Sequence, residues 1–333
     1  MHIAQHISLL PYNTFGIDVE ASLFAGVSNL SDLQHIPARQ PIYILGGGSN
    51  VLLSGPVNGL VLHNRLKGIS IQQEDDKNVW LEAASGEVWH QFVRYSIDHG
   101  WGGLENLALI PGTIGAAPIQ NIGAYGAEVK DTITQVTFWH LEEQRFITYS
   151  NEQCRFSYRD SIFKNKLKGK AFITSVVYKL SKHPVLNTSY GAIEQELSVM
   201  QVTDPTVKDV AAAVIRIRTS KLPDPKVTGN AGSFFKNPTI ARSQYEALLH
   251  QFPAMPHFPV SNELVKVPAA WLIEQCGWKG YRKGDVGVHE RQALVLVNLG
   301  FANGNEIWQL SGDIIASVVA RFGIELEREV QVW

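Results

Sequence analysis

Ser233 lies in Asn230-Ala-Gly-Ser-Phe-Phe-Lys-Asn-Pro238, between small residues and a phenylalanine pair, with an amine and an amide close behind. A serine on such a tight turn could hand a proton to a basic atom of a ligand; without the Gly-x-Ser-x-Gly frame of a hydrolase elbow, nucleophilic attack is the weaker chemistry. The same residues also read as a turn serine beside core phenylalanines. Arg159 sits in Phe156-Ser-Tyr-Arg-Asp-Ser-Ile-Phe163, where aromatic neighbours would partly desolvate its guanidinium. That cation wants an anion, either a ligand carboxylate in a bidentate grip or Asp160 as a local structural pair. Glu325, Glu327 and Glu329 recur at strand spacing near the C-terminus, and exposed strand acids are the plain explanation for all three.

Two glycine-rich stretches offer a different chemistry. Pro111-Gly-Thr-Ile-Gly-Ala-Ala-Pro-Ile-Gln-Asn-Ile-Gly-Ala-Tyr-Gly126 is uncharged and built of small residues, so its main chain can approach a ligand closely and point N–H groups at phosphate or carbonyl oxygens. Ile110, Ile114, Ile119, Ile122 and Tyr125 would pin it to a core, unlike a flexible linker, although a buried turn-rich connection without a ligand has the same pattern. Upstream, the apolar run Pro41-Ile-Tyr-Ile-Leu45 opens into Gly46-Gly-Gly-Ser-Asn50, a buried strand running into a loop that could hold phosphate.

The elements that must position these residues follow from periodicity. Val88, Trp89, Phe92, Val93 and Ile97 after Ser85, with Gly100 as a stop, predict an amphipathic helix. Ile133 to Trp139 and Phe172 to Leu180 have the β-branched patterning of strands, which makes this half α+β. Thr206-Val-Lys-Asp209 reads as a capping box for a helix whose stripe is Val207, Val210, Ala211, Val214 and Ile215 and which ends near Lys221-Leu-Pro-Asp-Pro225, the expected boundary between a cofactor part and a substrate part. Further helices are expected from Ala269 to Cys276, between Pro268 and Gly277, and from Ser311 to Gly323. No Gly-x-Gly-x-x-Gly follows a strand, so a dinucleotide must bind by other means than a Rossmann turn.

Bulk properties narrow the partners. A chain of 333 residues exceeds one ordinary core and favours two or three domains. A net charge of −2 with interspersed signs gives no footprint for nucleic acid and no basic patch for a membrane, which leaves small molecules. Cys154 and Cys276 are far apart, without metal-ligand spacing, so neither a disulfide framework nor a bound metal is expected, and a reducing cytoplasm fits. Neither a secretory leader nor a long apolar span is visible, and a soluble, unexported chain is expected.

Taken together, the segments resemble the UDP-N-acetylenolpyruvoylglucosamine reductase family over nearly the whole chain. The likeness rests on Asn13-Thr-Phe-Gly16, Gly46-Gly-Gly-Ser-Asn50, Asn64-Arg-Leu-Lys-Gly68, Pro111-Gly-Thr-Ile-Gly115, Gln120-Asn-Ile-Gly-Ala-Tyr-Gly126, Tyr158-Arg-Asp-Ser161, Ala231-Gly-Ser-Phe-Phe-Lys-Asn-Pro238 and Leu326-Glu-Arg-Glu-Val330. Thr188-Ser-Tyr-Gly191 looks like the tyrosine loop of the family's longer subclass. The resemblance implies an α+β fold of the vanillyl-alcohol-oxidase (PCMH-like) kind, two FAD-binding subdomains followed by a separate α+β substrate-binding domain. The corresponding spans are 1–66, with 324–333 as a candidate completion, then 67–219, then 220–323.

By the same resemblance, FAD is held without a covalent link, its pyrophosphate by the first glycine loop and its isoalloxazine by the second. The matching positions are Asn13, Thr14, Gly46, Gly47, Gly48, Ser49, Asn50, Arg65, Pro111, Gly112, Thr113, Ile114, Gly115, Asn121, Ile122 and Gly123. NADPH and UDP-N-acetylglucosamine enolpyruvate would occupy one site in turn, and hydride would reach the vinyl CH₂ carbon by way of FAD. The preference for NADPH comes from the resemblance, since no ribose-reading motif is visible. Arg159 matches the residue that grips the substrate carboxylate, Glu329 the acid that supports the growing enolate charge, and Ser233 the proton donor. Tyr158, Tyr190, Lys221, Asn237 and Gln292 match substrate-binding positions. Relatives continue past the Glu-Val pair while this chain stops at Trp333, so a short last strand is expected, and Glu327 shares a face with Glu329 and competes with it for the acid's role. A monomer is expected. The alternatives are another flavoenzyme of the same fold, against which stands the absence of a flavin-linking His or Cys motif, and a flavin or nucleotide-sugar sensor without turnover.

Overall fold

Among the described residues, short β-branched runs broken by glycine and polar turns build six sheets, and amphipathic stretches form three helices of ten residues or more. A computed structural model describes residues 1–37 and 41–333 of the chain. They divide into two compact units: Met1–Ile7, Ala21–Gly47 and Asn58–Ser220 in the first, and Ser8–Glu20, Gly48–Val57 and Lys221–Trp333 in the second.

The first unit holds a four-stranded sheet in the order Ala4–Ser8, Glu20–Val27, Val57–Asn64, Ile42–Leu45, and a five-stranded sheet in the order Arg145–Ser150, Ile133–His140, Ala171–Ser181, Asn78–Ala84, Ile69–Glu74. Ile42–Leu45 runs parallel to Val57–Asn64, with Ile42 opposite Leu60, whereas every pairing in the larger sheet is antiparallel. The helix Trp89–Asp98 lies on the core through Trp89, Phe92, Val93, Ser96 and Ile97, the i, i+3, i+4, i+7, i+8 stripe of an amphipathic helix. Its aromatic residues meet Tyr178 of the sheet, with ring centroids 5.9 Å away for Trp89 and 4.8 Å for Phe92. The helix Val207–Lys221 joins the same core through Val210, Ala211, Val214 and Ile217, and the Asp209 carboxylate accepts from the Thr206 N–H as the capping pattern anticipates.

The second unit holds a four-stranded sheet in the order Gly229–Ser233, Val295–Asn298, Val286–Val288, Arg282–Lys283 and a three-stranded one in the order Thr239–Ala241, Leu264–Lys266, Phe258–Pro259. A parallel pair is made by Gln331–Val332 and Val51–Leu52, so the last strand is two residues long. The helix Ala269–Gln275 stands where the proline and glycine flanks put it. The helix expected from Ser311 instead spans Gly304–Phe322. Asn303 and Glu306 form a capping box two turns upstream of that estimate, with each side chain bonded to the other's backbone N–H at 3.1 Å and 2.8 Å. Among the described residues no helix is long and apolar enough to cross a membrane, and no group of three or more His, Cys, Asp or Glu is placed to hold a metal. Both cysteines are free thiols.

Candidate active site

In the first unit the two glycine stretches, distant in sequence, touch. A Cβ on Gly46 would lie 2.6 Å from Thr113 Oγ1, and one on Gly47 would lie 3.3 Å from Gly112 Cα, so a side chain at Gly46 would have to displace Thr113 and one at Gly47 would be tightly crowded. The second loop is held rigidly beneath it: Ile114 N–H donates to Glu87 O at 2.9 Å, Gly115 N–H to Ser85 O at 2.8 Å, and Gly112 O accepts from Trp89 N–H at 3.0 Å. Asn64 Nδ2 donates to the buried Ser85 hydroxyl at 2.6 Å, which ties the Asn64-Arg-Leu turn to the same place. Arg65 spreads its guanidinium over Gly26 and donates from Nε to His63 Nδ1 at 3.0 Å. Burial, and secondly the Arg65 charge, push the His63 pKa down to about 4, so its imidazole is neutral and able to accept that bond.

The later part of the second glycine stretch positions Arg159. Ser157 and Asp160 exchange both backbone hydrogen bonds across a tight turn in which Arg159 has φ +53°, a left-handed conformation that normally falls to glycine. Asn121 (φ +44°) and Tyr125 (φ +49°) carry the same kind of strain. Arg159 Nη2 donates to Gly123 O at 2.6 Å and Nη1 to Asn121 O at 3.4 Å. Asn121 is itself buried and held by donation from Nδ2 to Ser157 O at 2.9 Å and to Glu128 Oε2 at 3.0 Å. The Asp160 carboxylate takes two hydrogen bonds from Asn165 Nδ2, at 2.8 Å and 2.9 Å, which answers the local-pair reading of Tyr158-Arg-Asp with a different partner. The Arg159 guanidinium stands 5.8 Å from the Tyr158 ring centroid.

A second guanidinium belongs to this cluster and escaped the reading of the sequence. Arg218, half-buried, faces the Tyr125 hydroxyl and lies within electrostatic reach of Arg159; burial foremost lowers its pKa, and no ion pair includes it among the described residues. Its Nε is buried without a hydrogen-bond partner there. Tyr125 in turn meets Tyr190 edge to face, with centroids 5.4 Å apart. The signal was available: 207, 211, 214 and 218 form one helical stripe, and a cation at a core-facing position calls for an anion.

In the second unit, Ser233 ends the strand Gly229–Ser233 just after a bulge in the pairing with Val295–Asn298, and it is exposed while Phe234 and Phe235 are buried. A bulge re-aims the side chain that follows it, which separates the serine from its core neighbours. The segment after it pairs with the one that carries Glu329: Glu329 N–H donates to Phe234 O at 2.8 Å, Phe235 bridges Arg328, and Lys236 N–H donates to Glu327 O at 2.9 Å. Glu325 and Glu327 are exposed, but Glu329 is half-buried. Glu327 forms an ion pair with Lys236. The end of the first glycine loop reaches the same strand, Asn50 Nδ2 donating to Glu329 O at 3.4 Å and Asn50 O accepting from Gln331 N–H at 3.1 Å.

The remaining expected positions are distributed around this frame. Gly48 has φ +60°, and a Cβ there would run into the Tyr12 carbonyl. Thr14 N–H donates to Gly48 O at 3.1 Å and Thr14 Oγ1 to Asn230 O at 2.6 Å, while Asn13 bonds Leu9 O, Ile17 O and Ile17 N–H, so Asn13 holds its own turn and Thr14 ties that turn to the first glycine loop and to Asn230. Asn237 Oδ1 accepts from Ala269 N–H at 2.9 Å at the start of a helix, and Gln292 Oε1 accepts from Leu294 N–H at 3.3 Å. Lys221 is exposed at the end of its helix.

A pair of glycine loops packed without Cβ atoms fits a dinucleotide cofactor's close approach, and residues 34–143 match the model of an FAD-binding domain. Fold and site therefore define a flavoprotein. Residues 224–333 match the C-terminal domain of UDP-N-acetylenolpyruvoylglucosamine reductase. The chain is 51% identical to the UDP-N-acetylenolpyruvoylglucosamine reductase of Flavobacterium johnsoniae, over all of both chains. It is 50% identical to that of Chromobacterium violaceum over 97% of this chain and 96% of the other. The crystal structure of the Thermus caldophilus enzyme of that name superposes with a TM-score of 0.70 at 25% identity, covering 100% of this chain and 99% of the other. The chain belongs to the UDP-N-acetylenolpyruvoylglucosamine reductase family.

Proposed function

We propose that Arg159, Glu329 and Ser233 carry the chemistry of an FAD-dependent reductase that takes UDP-N-acetylglucosamine enolpyruvate to UDP-N-acetylmuramate with NADPH, in the synthesis of cell-wall peptidoglycan. Its membership of the family, end to end, carries the reaction; the contact of Gly46 and Gly47 with Thr113 and Gly112 supports the binding of the cofactor. FAD, when bound, supplies hydride carriage between NADPH and the enolpyruvyl double bond. Asn13, Thr14, Gly46 to Asn50, Arg65, Pro111 to Gly115 and Asn121 to Gly123 are the positions we assign to holding it.

The protein's own residues do the rest. Arg159 grips the substrate carboxylate, helped by a positive local field to which Arg218 adds. As hydride arrives at the vinyl carbon, charge grows on the adjacent carbon and spreads into that carboxylate, and a protonated Glu329 donates a hydrogen bond to it. The ion pair of Glu327 with Lys236 supports Glu329 as the acid of the two. Ser233 Oγ–H delivers the proton to the enolate carbon, a weak acid meeting a strongly basic atom at hydrogen-bond range. Tyr158, Tyr190, Lys221, Asn237 and Gln292 are assigned to the substrate's nucleotide diphosphate and its surroundings.

We assign 1–66 and 67–219 to FAD binding, with 324–333 as the candidate completion of the former, and 220–323 to the substrate. We read the protein as a monomer, place it in the reducing cytoplasm that two free cysteines fit, and take its balanced charge as speaking against a nucleic-acid partner. The test is an anaerobic absorbance titration, in which the flavin is bleached with just enough NADPH before UDP-N-acetylglucosamine enolpyruvate is added. Return of the oxidised band supports both half-reactions; a flavin that stays bleached overturns the substrate and leaves another flavoenzyme, whereas no bleaching points to a sensor.

A further inference from the structure

Arg328 is flanked by Glu327 and Glu329 and pairs with neither. Among the described residues no ion pair includes it. Its guanidinium instead lies 3.7 Å from the centroid of the Trp308 ring, and its Nε–H donates to Ser311 Oγ at 2.7 Å. Trp308 and Ser311 are one turn apart on the helix Gly304–Phe322, and Ser311, fully buried, donates onward to Trp308 O at 2.6 Å. A guanidinium is weakly hydrated, planar and able to stack while donating in its plane, which an ammonium cannot do. The backbone of Arg328 is the centre of the short ladder with Phe234 to Lys236, whose other strand leads out of Ser233. One side chain thus fastens the Glu329 segment to the N-terminal half of a 19-residue helix.

We propose that Arg328 is a positioning residue for the reduction of the enolpyruvyl group. Its stack on Trp308 and its bond to Ser311 fix the tilt of residues 327–329, and through it the placement of the Glu329 carboxyl against the segment that carries Ser233. The inference rests on the assignment of Glu329 made above. It explains why a tryptophan 39% exposed stands on this helix, since the ring is a platform for the cation.

The experiment follows flavin reoxidation by the enolpyruvyl nucleotide, after anaerobic reduction, in the FAD-loaded full chain and in Arg328→Met, Glu329→Gln and the double variant. Arg328→Met is expected to slow reoxidation by about ten- to a hundredfold, the effect of losing about an ångström of positioning. It should leave FAD retention and flavin reduction by NADPH within about twofold, and add less than about twofold in the Glu329→Gln background, because two residues acting as one unit are not additive. Trp308→Ala should reproduce the loss and Trp308→Phe should recover part of it, which keeps the test available if Arg328→Met does not fold. Equal slowing of both half-reactions, full additivity with Glu329→Gln, or unchanged reoxidation overturns the proposal. An unaffected Glu329→Gln overturns the assignment of Glu329 itself; a slowed Glu329→Gln beside a normal Arg328→Met overturns only the inference about Arg328.

Discussion

At the scale of single residues, Ser233 gives the sharpest test of the proposed chemistry. Ser233→Ala should keep FAD and be reduced by NADPH at the normal rate, yet return its hydride to the enolpyruvyl nucleotide about 10²- to 10⁴-fold more slowly, the usual contribution of a positioned proton donor; stopped-flow absorbance separates the two steps, and unchanged reoxidation would remove Ser233 from the mechanism. The cysteines yield a second, simpler contrast. Burial pushes the Cys154 thiol up to about 12, whereas Cys276 is only half-buried and raised less. Alkylation at pH 8 should therefore label Cys276 alone in the folded protein, as peptide mass spectrometry would show. The candidate site was drawn in large part from residue types, because an arginine among aromatics and a serine between glycine and phenylalanine are unusual enough to ask for a ligand. What could not be read were the choices among equivalent partners. Asp160 was as good a mate for Arg159 as any ligand until the structure gave its carboxylate to Asn165, and three alternating glutamates look alike until burial and Lys236 tell them apart.

Among the elements, the strong apolar stripes fixed the helices Trp89–Asp98 and Val207–Lys221 close to where periodicity put them, and the proline and glycine flanks did the same for Ala269–Gln275. The long C-terminal helix went wrong at its start for a physical reason: the eye follows the dense apolar run from Ser311, while the helix begins at a polar cap, Asn303 with Glu306, whose energy is local. Asn303→Ala should cost about 1 kcal/mol of stability, measured by urea unfolding, with Asn303→Ser or Asn303→Asp nearly neutral. The short strands of the second unit were hidden for the opposite reason, since runs of two to four residues carry too little alternation to detect. In the sheet of the first unit, the Tyr178 hydroxyl is fully buried and meets no hydrogen-bond partner among the described residues. Tyr178→Phe, which keeps the ring packed on Trp89 and Phe92, should be neutral or raise stability by about 1 kcal/mol in the same assay.

On the scale of the whole molecule, acid stability should carry the mark of His63. Its pKa in the folded chain, about 4, lies below its ordinary value of 6.5, so the unfolded chain takes up the proton first. Nothing is lost above pH 6.5; stability falls as pH drops from there towards about 4, and the loss is complete below the folded value. His63→Gln should flatten the urea midpoint over that window, and an unchanged slope would mean that other groups set the acid limit. The two compact units have a further consequence in time. The chain passes between them five times, and the second draws on residues 8–20 and 48–57 as well as on everything from Lys221. Its parallel strand pair is completed only by Gln331 and Val332, with Trp333 N–H donating to Leu52 O and Trp333 O accepting from Ser54 N–H. During synthesis, the strand Val51–Leu52 must therefore wait for residues 331–333, and a nascent chain stalled short of them holds that strand without its partner.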